Sequence, residues 1–245
     1  MTTCKNCGHT FEGKYCNQCR QEATTTRITW SEVVRQLRHA TVDVDRGFFF
    51  TVQQLFRQPG VMIREYLEGK RVNYSNPFFY VLLMAGFTSL LFLSFDVPLP
   101  VRSISLEHIE KMSPLVAQKY FILVGLVVMG MLTGGDLLLH RRAGFNVAEI
   151  TVASAFQAGQ LLVITVMLFP IIYLQDHYFP PANSWLDVRQ LLKLGVFVYL
   201  VVVRKQLYAV DGRPPALQLI RILAQIIITI AFYEVVVARL IMKMI

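Results

Sequence analysis

Residues 77–95 read PFFYVLLMAGFTSLLFLSF, nineteen consecutive positions without a charge. A helix needs about 20 apolar residues to cross a hydrocarbon core of ~30 Å, so this run predicts a membrane span. The aromatic entry Phe78-Phe79-Tyr80 suits the interfacial belt where such spans begin. Working outward, four further apolar stretches follow, near 120–139, 150–174, 186–203 and 217–242. The fourth is the weakest: Leu191 to Val203 is short and holds Lys193. It reaches spanning length only by starting near Trp185, with Arg189 and Lys193 snorkelling to the interface. The expectation is a mainly α, polytopic membrane protein with about five transmembrane helices over 77–245. The composition agrees, with 54% hydrophobic residues, only 16% charged residues and a mean hydropathy of +0.47.

The net charge of +8 would fit nucleic acid or an anionic membrane equally well, but its distribution is informative. Eleven of the 24 Lys and Arg precede Pro77. With the N-terminus inside, Arg141, Arg142, Arg204, Lys205 and Arg213 also fall on the cytoplasmic side, against Arg102, Lys111, Lys119 and Arg189 outside. That is the positive-inside pattern of an inner (plasma) membrane protein. Five spans place Ile245 outside; a re-entrant fourth segment would place it inside. No signal-peptide pattern precedes the first apolar run.

All four cysteines lie within the first nineteen residues, as Cys4-x2-Cys7 and Cys16-x2-Cys19. Two such pairs match the closed tetrahedral site of a structural zinc, and residues 1–22 are expected to form a zinc ribbon around one Zn2+. Gly8 suits the turn after the first pair. So short a segment buries too little apolar area to fold without metal. Reduced thiolates place this end in the cytoplasm, in agreement with the charge bias. A thioredoxin-like role is disfavoured because no βαβ pattern surrounds either pair, and His9 is superfluous as a ligand. Lys5, Lys14 and Arg20 could approach nucleic acid, but with Asn6, Tyr15 and Gln18 beside them a protein partner is favoured and nucleic acid disfavoured.

Between ribbon and membrane, residues 28–76 read as amphipathic helices. Trp30, Val33, Val34 and Leu37 recur at helical spacing, and Phe49, Val52 and Phe56 form a second stripe. Pro59-Gly60 breaks the pattern, and Val61 to Leu67 resumes it before Gly69. These segments suit the membrane interface or a packed position on the bundle. Arg64, Lys70 and Arg71, with Tyr74 as a hydrogen-bonding neighbour, are candidates for an anionic lipid headgroup, or else topology markers alone. Pro77 fits the first turn of the coming helix.

The passage Thr51-x7-Pro59-Gly60-x5-Tyr66-x2-Gly69-Lys70-Arg71-x2-Tyr74-x2-Pro77 resembles an uncharacterised bacterial membrane-protein family, domain of unknown function family 3667. Its members commonly carry two Cys-x2-Cys pairs at the N-terminus, as here. The resemblance covers roughly the first eighty residues. It implies a polytopic inner-membrane protein and no particular activity.

Ionisable and amide side chains in the spans are the remaining candidates: Asp136, Glu149, Gln157, Gln160 and Glu234. Asp136 and Glu149 lie near Arg141 and Arg142, so salt pairing is the plainer expectation for both. Gly130-x3-Gly134 and Ala155-x3-Gly159 predict close helix approach and admit a homo-oligomer. No Ser/His/Asp set, phosphate-binding loop or His-based metal motif appears, and the histidines are scattered. The leading reading is therefore an inner-membrane scaffold or adaptor whose zinc ribbon engages a partner. A small transporter or channel using Asp136 and Glu234 is the first rival, and a lipid-headgroup enzyme the second.

Overall fold

Two glycine-punctuated hairpins open the chain because each Cys-x2-Cys pair must wrap its backbone around its own sulfurs. In the computed structural model, which describes residues 1–25, 27–39, 47–95, 114–140, 143–178, 188–208, 214 and 216–229, β1 (Thr2–Thr3) pairs antiparallel with β2 (Thr10–Phe11). The first knuckle lies between them. Twelve residues on, Tyr15 bridges Glu22 and encloses the second.

Eight helices follow among the described residues. They are α1 (Trp30–His39), α2 (Phe48–Arg57), α3 (Pro59–Glu68), α4 (Pro77–Ser94), α5 (Pro114–Leu139), α6 (Val147–Tyr178), α7 (Val188–Leu207) and α8 (Ala216–Thr229). Their boundaries have local causes. Pro59 forbids a helical Gln58, which sits at φ −145°, ψ 65° and separates α2 from α3. Gly69 ends α3 in the left-handed region at φ 116°, a conformation costly for any residue with a Cβ. Asn76 caps α4 by accepting from the N–H groups of Phe78 and Phe79, and Pro77 takes the first helical position.

Among the described residues, three helices are long and apolar enough to cross a membrane: α4, α5 over Ile122–Leu139, and α6. They pack on one another as the central layer, with α7 against α6 and α3. At 32 residues, α6 is about 48 Å long, well beyond a ~30 Å hydrocarbon core. Its N-terminal part, Ala148 to Gln160, is buried throughout, and α1, α2 and α3 all pack against α6. The amphipathic region is thus a cap on the bundle rather than a separate unit. In α1 the buried face is Val33 and Gln36, while Trp30, Val34 and Leu37 are exposed. In α2, Thr51 and Leu55 face inward and Phe49 and Phe56 outward.

Glycines mark the closest helix crossings. A Cβ on Gly159 would collide with the Tyr80 ring, so the Ala155-x3-Gly159 pair seats α6 against α4. Gly130 and Gly134 have nothing within 4 Å, whereas a Cβ on Gly135 would stand 2.6 Å from Gln225 Nε2 on α8. The expected pairing through Gly130 and Gly134 is corrected accordingly: among the described residues, the adjacent glycine makes the contact. The fourth and fifth expected spans correspond to α7, with charged residues at both ends, and to α8, whose described part has 14 residues.

Candidate functional site

The two cysteine knuckles repeat the same hydrogen bonds. Gly8 N–H donates to the Cys4 carbonyl at 2.9 Å, and Arg20 N–H to the Cys16 carbonyl at 2.8 Å. Cys4 N–H reaches the His9 carbonyl at 2.9 Å, as Cys16 N–H reaches that of Gln21 at 2.8 Å. Both Gly8 (φ 75°) and Arg20 (φ 66°) take the left-handed conformation that folds the chain back over the thiols. The ribbon is therefore two copies of one device, the second closing with an arginine where glycine would be unstrained. Its four Sγ atoms lie within 4.8 Å of one another, with Cys4–Cys19 at 3.4 Å and Cys7–Cys16 at 3.6 Å. These separations exceed a disulfide bond of ~2.05 Å, and all four cysteines are free.

Crowded thiols cannot all ionise without a cation among them. Although the backbone hydrogen bond at His9 works to lower it, the Cys7 thiol is pushed up to about 12 by desolvation and the other three sulfurs. Cys16 goes the other way: against desolvation, backbone hydrogen bonds at Cys19 and Gln18 pull it down to about 7. Four sulfurs gathered at one point on a preformed backbone can hold a metal ion, and Cys4, Cys7, Cys16 and Cys19 are its ligand set.

The ribbon does not hang free. Gln21, buried to 5% exposure, accepts from Arg71 N–H at 3.2 Å. Gly69 lies under Lys5 and Thr25, so close that a Cβ there would be 2.8 Å from Lys5 Cδ. Arg27 pairs with Glu149 at 2.7 Å and also donates to the Gly144 carbonyl, and Asn146 Nδ2 donates to the Ile28 carbonyl at 2.9 Å. Glu149 also accepts from Asn146 N–H at 2.8 Å, and its own N–H donates to Asn146 Oδ1 at 2.9 Å, a reciprocal cap that starts α6. The partner of Glu149 is thus Arg27, 122 residues earlier; Arg141 and Arg142, its expected partners, lie outside the described residues.

The passage from Thr51 to Pro77 consumes its own polar groups. Thr51 Oγ1 accepts from Ser75 N–H at 2.8 Å, tying α2 to the entry of α4. Gly60 lets α3 touch α7, and its N–H donates to Gln206 Oε1 at 2.9 Å. Arg64 donates to the Gln206 carbonyl at 2.7 Å and to that of Leu207, capping α7. Lys70 pairs with Glu65 at 2.7 Å, and Tyr74 OH donates to the same carboxylate at 3.1 Å. Lys70, then Tyr74, hold Glu65 below the ordinary carboxylate range, against partial desolvation. Arg71 lies over the Tyr66 ring at 5.7 Å, and its Nη1 is 3.7 Å from Glu32. Tyr66 in turn meets Phe156 edge-on at 4.9 Å. Each of the four headgroup candidates, Arg64, Lys70, Arg71 and Tyr74, is engaged within the protein; Lys70 keeps 44% of its side chain exposed.

Deeper in the bundle, α5, α6, α7 and α8 each contribute one polar side chain to a buried cluster. Arg204, fully buried, lies 3.5 Å from Asp136 and donates to Gln225 at 3.1 Å and Gln157 at 3.2 Å. Gln225 closes the ring by donating to Asp136 at 2.6 Å. Gln160, one turn from Gln157, accepts from Tyr80 OH and joins α6 to α4. Arg204 was expected to mark the cytoplasmic side as a loop cation; instead it neutralises Asp136 inside the bundle. Its signal lay in the sequence, one residue past the Val203 end set for the fourth apolar run. Gln225 and Arg27 carried no signal, since their partners lie 89 and 122 residues away. Glu234 lies outside the described residues.

Residues 45–88 match the family described as a protein of unknown function, DUF3667. Over this passage the chain is similar to that family. It begins just before α2 and ends within α4, so the matched region is the interlocked cap and the entry of the first span. No curated protein and no solved structure matches the chain.

Proposed function

We propose that this DUF3667-containing chain is an adaptor anchored in a bacterial inner membrane, with its N-terminal ribbon presented to a protein partner in the cytoplasm. The observation that carries this reading is the ribbon's attachment. One side is latched to the Gly69–Arg71 turn through Gln21 and Lys5, while Lys14, Gln18, Arg20 and Tyr15, the last 62% exposed, remain in solvent. A module fixed in orientation by its base and open on another side suits partner recognition.

Zinc is the metal this ligand set favours. Four thiolates at about 2.3 Å from one ion stand roughly 3.8 Å apart, close to the 3.4 and 3.6 Å separations of the cysteine pairs. Bound there, it would supply structural cross-linking and no reaction. The bundle is read as five spans, with α7 and α8 completing the set, an inside N-terminus and an outside C-terminus. The exposed stripes of α1 and α2 then rest in the lipid interface, since Asn76, which caps the first span, donates to the Gln36 carbonyl at 2.8 Å and so pins α1 at the entry plane. Lys70, still half exposed, would add attraction to anionic lipid.

The second reading, a small transporter, is favoured by one observation, the buried Asp136–Arg204 pair. The adaptor reading is tested by native purification of the full chain beside a Tyr15→Ala/Arg20→Glu variant that keeps all four cysteines. Loss of a stoichiometric partner with zinc content unchanged supports it. The same partner retained by the variant and by a chain lacking residues 1–22 contradicts it.

A further inference from the structure

We propose that the bundle holds internal water along a buried polar line formed by Asp136, Arg204, Tyr199 and Gln160. The inference stands apart from the adaptor reading, and failure of either leaves the other intact.

Arg204 and Asp136 are both fully buried, yet their hydrogen bonding is incomplete. The guanidinium uses Nε toward Gln225 and Nη1 toward Gln157, while Nη2 has no partner. Asp136 Oδ1 accepts from Gln225, while Oδ2 has none. The Tyr199 hydroxyl, on the helix that carries Arg204, is buried and also unpartnered. It sits five residues before Arg204 on α7. On α6, Gln160 lies one turn from Gln157, which bonds Arg204; its Oε1 accepts from Tyr80 OH while its Nε2 is again unpartnered. A free acceptor, two free donors and a free hydroxyl thus lie on the helices that meet at the Asp136–Arg204–Gln157 cluster.

One orphaned atom in a packed bundle is unremarkable, but four buried ones on the three helices that meet at the Asp136–Arg204 pair point to a shared occupant. Each would otherwise bear the full desolvation penalty of a buried polar group. The chemistry of the walls selects that occupant. A bound anion would face Asp136, and a bound metal cation would face Arg204. A neutral molecule that both donates and accepts satisfies both, bonding Nη2 and Oδ2 beside a pair whose Nε and Oδ1 stand 3.5 Å apart. Water meets that requirement and needs only two to four polar partners. The ion pair then connects to an internal hydration path instead of forming a dry pin. That is the setting in which a carboxylate between apolar helices exchanges protons with solvent.

The full chain in lipid nanodiscs provides the test, by radiolytic hydroxyl-radical footprinting, which oxidises side chains next to bound water. Tyr199 is expected to be modified at least several-fold faster than Phe169, which is buried against Phe92 and Phe95. The Tyr199 rate is expected to fall toward that of Phe169 in an Asp136→Leu/Arg204→Leu variant. Modification of Tyr199 no faster than Phe169 in the wild-type chain overturns the proposal. A second measurement holds even if the double variant does not fold. Tyr199→Phe lowers the melting temperature if the hydroxyl bonds water, and raises it if the hydroxyl is dry and unpaired. A rise overturns the proposal.

Discussion

Replacing Gly60 by alanine isolates the contact that joins the helical cap to the bundle. A Cβ built on Gly60 stands 2.5 Å from Gln206 Cβ and from the Val203 carbonyl oxygen, and 2.6 Å from Leu207 N. Two of these three atoms are backbone of α7, so no side-chain rotation relieves the clash, and the helices must part by about 1 Å to regain ordinary van der Waals contact. Overpacking of this kind costs about 1–3 kcal/mol. The 2.9 Å bond from Gly60 N–H to Gln206 stretches as well, for roughly 0.5–1.5 kcal/mol. Against this, alanine is favoured over glycine inside a helix by about 1 kcal/mol, and by less at the second position of α3. The net expectation is a loss of about 1–3 kcal/mol. Reversible denaturant unfolding in mixed micelles reads it, with Gly134→Ala as control, since a Cβ there would meet no other side chain or helix within 4 Å. If Gly60→Ala is as stable as wild type, α3 does not lie against α7 and the account of the cap fails.

Removing one partner of the buried ion pair, as in Asp136→Ala, leaves Arg204 uncompensated and should cost about 3–5 kcal/mol; replacing both by leucine should recover much of it, and unfolding of the set shows whether it does. Glu65 is held below its ordinary range, so its contribution is present above the unfolded carboxylate value of about 4.3 and is lost as pH falls through the lower folded value. Lys70→Gln removes the chief cause, and the acid-side slope of melting temperature against pH should shrink; an unchanged slope refutes the pairing. Cysteine placed at position 108 should react with a membrane-impermeant reagent from outside only, and labelling from the cytoplasmic side alone would invert the topology.

The parts of the molecule legible in sequence are those built from local spacing. Two Cys-x2-Cys pairs at one end announced a common centre, and long apolar runs announced α4, α5 and α6. The Pro59, Gly69 and Asn76-Pro77 boundaries follow from backbone chemistry that neighbouring residues reveal. The rest depended on partners far along the chain. Lys70 and Arg71 read as free cations because Glu65 lies on the preceding turn and Glu32 on another helix. Arg204 read as a loop charge because Asp136 reaches it only once α5 and α7 are packed. Gly130 and Gly134 fitted a packing motif, but helix rotation turned Gly135 toward α8 instead. The spacing of a motif sets which residues share a face, and tertiary packing decides which face is used.

The claim on which the N-terminal module rests is that Cys4, Cys7, Cys16 and Cys19 together hold one metal ion. Elemental analysis of the chain purified without chelator tests it most directly. The account predicts one zinc per chain, falling well below one in Cys16→Ser while the membrane helices remain inserted. Substoichiometric zinc that added metal cannot restore, in a chain with all four thiols reduced, would contradict it.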